Sequence, residues 1–244
     1  MSTLRQVVRK LAPMQLRLAV AVARRTAADL VSRTSFADTR TDPTNLAEVV
    51  AVAQPIRHTA HFEGKLHNLT LAAHTLNGLE IPPCATVSFW RVIGRPTEAH
   101  GFRTGRAIIN DRLSADIGGG LCQVASLLYE LGLRTGMRIV ERHPHSRDLY
   151  TEDTRFTPLG LDAAIVWGFK DVRWTNAHKC NVALHFHVEG ETLHGSLHTA
   201  APIPTCDLSI ASHDEGSRRH VEVARTQGPT RAVVSRETYV IDPG

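Results

Sequence analysis

The 244-residue chain has no paired cysteines. Cys84, Cys122, Cys180 and Cys206 stand far apart, with no CxxC element to suggest a zinc knuckle or a thioredoxin-like dithiol, and they do not read as a disulfide framework. Long apolar runs are missing too. The best candidate, "LRLAVAVARR" near the N-terminus, is cut by Arg17 and is too short for a membrane span, and it does not read as a secretory signal. The expected location is therefore the cytoplasm. No Lys/Arg tract interleaves with aromatic residues: 28 basic residues are scattered and answered by 24 acidic ones, a net charge of +4, which argues against a nucleic-acid groove. There is no GxxxxGK[ST] and no GxGxxG, so the common nucleotide loops are discounted, and neither an internal repeat nor a long low-complexity tract is present.

What remains is ordinary in bulk: 42% hydrophobic and 21% charged residues fit a soluble globular chain with one sizeable core and appendages. Residues 4–33 place Leu4, Val7, Val8, Leu11, Leu16, Leu18, Val20, Val22 and Leu30 among arginines, the pattern of amphipathic helices broken at Pro13. This arm is available to the core, to a partner or to an anionic membrane surface. "RTSFADTRTDPTN" (33–45) reads as a polar linker or loop. "NLTLAAHTLNGLEIPP" has a helical rhythm at Leu69, Ala72, Ala73 and Leu76, stopped by Asn77-Gly78. "ATVSFWRVIG", "MRIVERHPHS", "LDAAIVWGFKDVRWTN" and "NVALHFHVEGETLHGSLHT" read as strands, and the tail as a hairpin turning at Gln227-Gly228-Pro229.

The stretch "DIGGGLCQVASLLYELG" (116–132) raises the chemical question. Three glycines suit a close-approach backbone that a side chain would block, and Cys122 then opens a helix. On the helical wheel Leu121, Val124, Ala125, Leu128 and Leu131 form the apolar stripe, with Cys122, Ser126 and Tyr129 to one side. A thiol in a first helical turn meets the positive end of the macrodipole and backbone N–H groups, which favour thiolate. Those N–H groups, with Gly118, Gly119, Gly120 and Gln123 around them, would receive an oxyanion during acyl transfer, and the glycines would let the acyl group reach the sulfur. The alternative is a packing cysteine behind a simple turn.

A thiolate nucleophile needs a base and an orienting acid. "ERHPHSRD" offers His143 and His145, and Asp148 and Asp162 are the candidate acids, with Asp162 expected at the head of a strand. Cysteine on a helix, histidine on the next strand and an acid beyond follow the order of transglutaminase-like and papain-like cores. The fold class expected is α+β: one core with a glycine loop and helix presenting Cys122 against a mostly antiparallel sheet. His185 and His187 share a strand face near His194 and His198, but with no carboxylate at ligand spacing they read as solvent-facing histidines, and no metal or other cofactor is expected.

The chain resembles the VanW family, first known from vancomycin-resistance gene clusters. The likeness rests on "HNLTLAAHTLNGLEIPP", "SFWRVIGRPTEAHGFRTGRAII", "DIGGGLCQVASLLY", "IVERHPHS" and "GLDAAIVWGFKDVRWTN", covering most of residues 65–190. It divides the chain into an arm and linker (1–44), a VanW-like core (45–200) and a C-terminal hairpin or tail (201–244). Some VanW domains look like cysteine L,D-transpeptidases that crosslink peptidoglycan stem peptides. The resemblance then implies Cys122 of GGGxCQ as nucleophile, His145 of the HS element as base and Asp162 of GxDA as acid, with His143 second. Peptide or peptidoglycan-precursor substrates are implied; the alternative is a non-catalytic accessory module binding wall precursors, antibiotic or a partner protein. Where the family usually has Gly-Glu after "IPP", this chain has Cys84-Ala85.

Overall fold

Pro13 can begin a helix but not continue one, and the first described helix, α1 (Met14–Val31), starts directly after it. The computed structural model describes residues 13–109, 112–148, 150 and 155–241, so Leu4, Val7, Val8 and Leu11 lie outside the described residues. α1 has no fully buried residue. It docks through Leu18 and Val22 beside Gly168, through Asp29 to Arg173 (2.7 Å), and through Arg25, which grips Glu141 and donates to the carbonyls of Gly168 and Phe169. Met14, Leu16, Val20, Leu30 and Val31 remain exposed.

The polar stretch 33–45 joins the sheet structure. Its Thr39–Arg40 (β1) pairs with Leu79–Ile81 (β3), and Phe36 bridges to Thr86. Between them come β2 (Ala47–Pro55) and α2 (Phe62–Leu76), which buries Leu69, Ala72, Ala73 and Leu76 on one face, as their spacing requires. Gly78, at φ +76°, ends it in the left-handed turn that glycine takes without strain. "ATVSFWRVIG" is only half strand: after β4 (Thr86–Ser88) the Ser88 hydroxyl accepts from the Arg91 N–H and caps a short helix, α3 (Phe89–Ile93). A hairpin, β5 (Thr104–Ile109) and β6 (Arg112–Ile117), leads through the glycines into α4 (Leu121–Arg134).

After β7 (Arg138–Glu141) and β8 (Arg147–Asp148), "LDAAIVWGFKDVRWTN" forms a strand only at Arg173–Thr175 (β9). Then follow β10 (Val182–Glu189), β11 (Thr192–Thr199), β12 (Asp207–Glu215), β13 (Arg218–Gln227) and β14 (Thr230–Ile241). The sheets are β1-β3-β10-β11-β2, β12-β13-β14-β8, β4-β9-β7 and the β5-β6 hairpin, and every pairing of these strands is antiparallel except β8 with β14. The fold is thus α+β with mostly antiparallel sheets.

α4 is the centre of the core. Residues Gln123 to Leu133 are all buried, not only the predicted stripe. The Trp174 indole on β9 donates to the Leu128 carbonyl (3.0 Å), and its ring lies so close to Gly132 that a Cβ there would stand 2.8 Å from it. A helix fixed on all sides holds the first turn, and the thiol on it, in one place. No helix among the described residues is long and apolar enough to cross a membrane.

Candidate active site

The glycines ahead of Cys122 are a packing device. A Cβ on Gly119 would stand 2.1 Å from the Gly105 carbonyl oxygen, and one on Gly105 would stand 2.6 Å from that of Gly119, so two backbones touch where no side chain fits. Gly120, at φ +101°, lies against Leu69 and the stem of Lys65 on α2. Asn68 ties the junction by donating to the carbonyls of Arg103 and Gly119. The Cβ directions of Gly118, Gly119 and Gly120 are filled by protein. Gln123 is partly committed: its N–H donates to Gly120 and its side-chain nitrogen to Pro55, while its buried side-chain oxygen has no hydrogen-bond partner among the described residues. Of the N–H groups expected to face an oxyanion, that of Cys122 itself has no acceptor among the described residues.

Cys122 is half-buried at the second residue of α4. The polypeptide beyond β7 brings His145 to its sulfur, and the backbone N–H of Ile165 faces it as well. The His145 ring is 11% exposed and gives its Nδ1 proton to Asp162 Oδ2 at 2.7 Å, leaving Nε2 for the thiol. His145 and Asp162 are therefore hydrogen-bonded, and the Cys122 sulfur stands beside the His145 ring.

The remaining expected residues are elsewhere. His143 is 38% exposed and hydrogen-bonds Glu141 at 2.9 Å rather than the thiol. Asp148, the rival acid, is occupied by both arms of the Arg155 guanidinium (2.9 and 2.8 Å). His145 lies four residues past the end of β7, not on it, and Asp162 sits just after a turn rather than at a strand head.

Asp162 is the most heavily held group in the site. Its Oδ2 accepts from both the ring and the backbone N–H of His145; its Oδ1 accepts from the Tyr239 hydroxyl (2.6 Å), Arg142 (3.1 Å) and the Gly160 N–H (3.2 Å). Burial alone would raise its pKa, but the bond from His145 and the Arg142 charge hold it well below the usual carboxylate range. Burial also disfavours the His145 cation, yet Asp162 and the Cys122 sulfur push its pKa up to about 10. Cys122 moves the other way: burial raises it, and the His145 hydrogen bond and charge with the Ile165 N–H outweigh burial and lower it. Both shifts favour the thiolate–imidazolium form of the pair over the neutral one.

Supports that sequence reading missed complete the site. The Ser126 hydroxyl, one turn beyond Cys122, donates to the Cys122 carbonyl (2.7 Å) and accepts from the Ala163 N–H (2.8 Å), locking the helix to the Asp162 turn. Arg142, 4% exposed, binds Asp162 and Glu237 and lies over the Tyr129 ring. Tyr239 comes from β14, the last strand, and no local motif marks it. In front of His145 is a depression lined by Tyr150, Phe156 and Asp162, which opens into a groove of about 430 Å³ running past Phe156 and Thr157 to Pro55 and Ile210.

The sequence profile described as VanW like protein matches residues 64–198, a stretch that contains all three members of the line. The chain belongs to the VanW family. It is 33% identical over 135 residues to the vancomycin B-type resistance protein VanW of Enterococcus faecalis, across 55% of this chain and 49% of that protein. It is 34% identical over 116 residues to the uncharacterized protein YoaR of Bacillus subtilis, across 48% of this chain and 37% of that one. These matches span half or less of each relative's length. No solved structure matches the chain. Glu237 and Tyr239 lie beyond the matched VanW region, so β14 adds to the site from outside it.

Apart from this site, β10 and β11 bring His187 and His194 into a cross-strand stack (4.7 Å), and the ligand atoms of His187, Glu189 and His194 all lie within 4.8 Å of one another. The carboxylate, Glu189, stands two residues beyond His187 on the same strand, and the hairpin register brings His194 opposite His187.

Proposed function

We propose that this VanW-family protein is a thiol-dependent acyl transferase or peptidase acting on cell-wall-related peptides, in the manner of an L,D-transpeptidase. The observation that carries this reading is the line from Cys122 through His145 to Asp162, with the thiol in the first turn of a helix that cannot shift. The order of helix-borne cysteine, then histidine, then acid supports a papain-like arrangement of the catalytic groups, and the vancomycin-resistance name of the Enterococcus relative supports a wall-derived peptide.

In the proposed reaction the Cys122 thiolate attacks a peptide carbonyl, forming a C–S bond. The negative oxygen is stabilised at the N-terminus of α4, where the Cys122 N–H and the helix dipole point. Collapse breaks the C–N bond, and the His145 imidazolium gives its proton to the departing amine. An acceptor amine then attacks the thioester while His145 takes its proton, and the new amide leaves Cys122 free; water in place of the amine gives hydrolysis. Asp162 keeps the imidazole in the tautomer that faces sulfur.

The test is incubation with a panel of muropeptides and mass spectrometry of the intact protein. A covalent acyl adduct on Cys122, with new crosslinked or trimmed peptide, is the expected outcome. An unmodified protein, with wild type and Cys122→Ser giving identical peptide mixtures, would reject catalysis and favour an accessory binding module.

A further inference from the structure

Among the described residues, two cations beside the site have no counter-charge. Lys65, on α2, is only 7% exposed, and its stem packs against Gly120, two residues before Cys122. Its ammonium lies 6.0 Å from the centre of the Phe156 ring. Arg106, on β5, lies 5.4 Å from the centre of the Tyr150 ring, and its buried Nε has no hydrogen-bond partner. Tyr150 and Phe156 meet edge to face (5.6 Å) and line the depression that holds His145 and Asp162. Among the described residues neither Lys65 nor Arg106 has a carboxylate partner, and burial together with the Arg106 charge lowers the Lys65 pKa to about 8. Arg142 and Arg155, also nearby, are paired with Asp162, Glu237 and Asp148.

Buried like charges without an anion destabilise a fold, so a protein that keeps them has another use for the field they make. Resting on the acyl-transfer reading above, we infer that Lys65 and Arg106 form a recognition site for a carboxylate on the acyl donor, close to the bond that Cys122 attacks. A guanidinium and an ammonium converging over an aromatic floor suit a planar carboxylate, which would supply the missing charge and satisfy the stranded Nε–H. The donor class is therefore a peptide with a free carboxylate within about one residue of the attacked carbonyl, not its amide or ester.

The experiment compares alkylation of Cys122 in the full chain by iodoacetate and by iodoacetamide, each rate divided by that of free cysteine. Both reagents put a CH2 group on the same sulfur and release iodide; only the first carries a carboxylate. Wild type is expected to favour iodoacetate by about tenfold, the scale of one charge-assisted hydrogen bond. Lys65→Met and Arg106→Gln should each bring the ratio towards one, while Lys65→Arg and Arg106→Lys retain it. Thermal melting checks that the variants fold, and Lys65→Met is expected to melt higher than wild type because it removes a buried charge. Equal normalised rates in wild type, or a preference unmoved by Lys65→Met and Arg106→Gln, would overturn the carboxylate site alone. A Cys122 that resists both reagents would overturn the acyl-transfer reading and this site with it.

Discussion

At the residue scale the site is a problem of where protons rest. Cys122 shares the field of His145 and a helix N-terminus, and its pKa is lowered in spite of burial. Its alkylation by iodoacetamide should therefore reach half-maximal rate at a pH below the ordinary thiol value of about 8.5, and His145→Ala should move that midpoint upwards. Asp162→Asn keeps the shape but loses the charge that fixes the imidazole; turnover is expected to fall about 10²- to 10⁴-fold with little change in KM. Tyr239→Phe removes one donor from a buried carboxylate and should cost about 1–3 kcal/mol in chemical denaturation, with a smaller loss of activity than Asp162→Asn. A different strain sits at Cys84, where φ is +63° at the position that the family fills with glycine. Cys84→Gly should stabilise the protein by about 1 kcal/mol, less the added chain entropy, measured as a shift in unfolding midpoint.

At the element scale the first turn of α4 is placed by contacts between backbones. Gly119 and Gly105 touch carbonyl to Cα, so Gly119→Ala must push the β5-β6 hairpin away from the helix. The expected cost is at least about 3 kcal/mol, seen as poor soluble yield or a lowered melting temperature, and any folded protein should show slower Cys122 alkylation. The glycine run and the helix after it were plain in the sequence, because local propensity and a 3.6-residue rhythm decide them. The direction of the glycines was not: whether the freed space admits a substrate or another strand depends on Gly105, which is 14 residues away. "SFWRV" misled for a similar reason. Its β-branched and aromatic composition favours a strand, but the Ser88 cap and the burial of Phe89 and Trp90 win locally.

At the scale of the whole molecule, the thiolate–imidazolium pair links stability to pH. Unfolded histidine and cysteine titrate near 6.5 and 8.5, whereas the folded pair has a lowered cysteine and a histidine raised to about 10. Between about pH 6.5 and 8.5, wherever the pH exceeds the lowered cysteine pKa of the folded state, both states hold one proton on the pair and its contribution to stability is flat. Below about 6.5 the unfolded state holds two protons, and for as long as the folded thiol stays ionised the folded state holds one, so the contribution falls with falling pH. Above about 8.5 the unfolded state holds none while His145 keeps its proton, and the contribution falls again towards pH 10. Lys65, whose folded pKa is lowered, gains stability with rising pH in that alkaline range and opposes the second limb. The comparison that isolates the pair is thus the melting temperature of wild type minus that of Cys122→Ser, which should rise from about pH 5 to a plateau near neutrality; a flat difference there would mean that the thiol is protonated in the folded state.

The chain by itself determined a helix through residues 69–76, the helix opening at Cys122, the strand character of 181–199 and the last hairpin, because each follows from contiguous periodicity or from turn residues that few other conformations accept. It also marked Cys122, His145 and Asp162, since those residue types stand in motifs with recognisable neighbours. Only the tertiary structure chose between His143 and His145 and between Asp148 and Asp162, for that choice depends on which side chains Glu141 and Arg155 already occupy. It alone supplied Tyr239 to Asp162 from 77 residues along the chain, and brought Lys65 and Arg106 near each other with no counter-charge among the described residues. Such contacts are set by the packing of distant strands around α4, and nothing in a local stretch of sequence encodes a neighbour that arrives from another sheet.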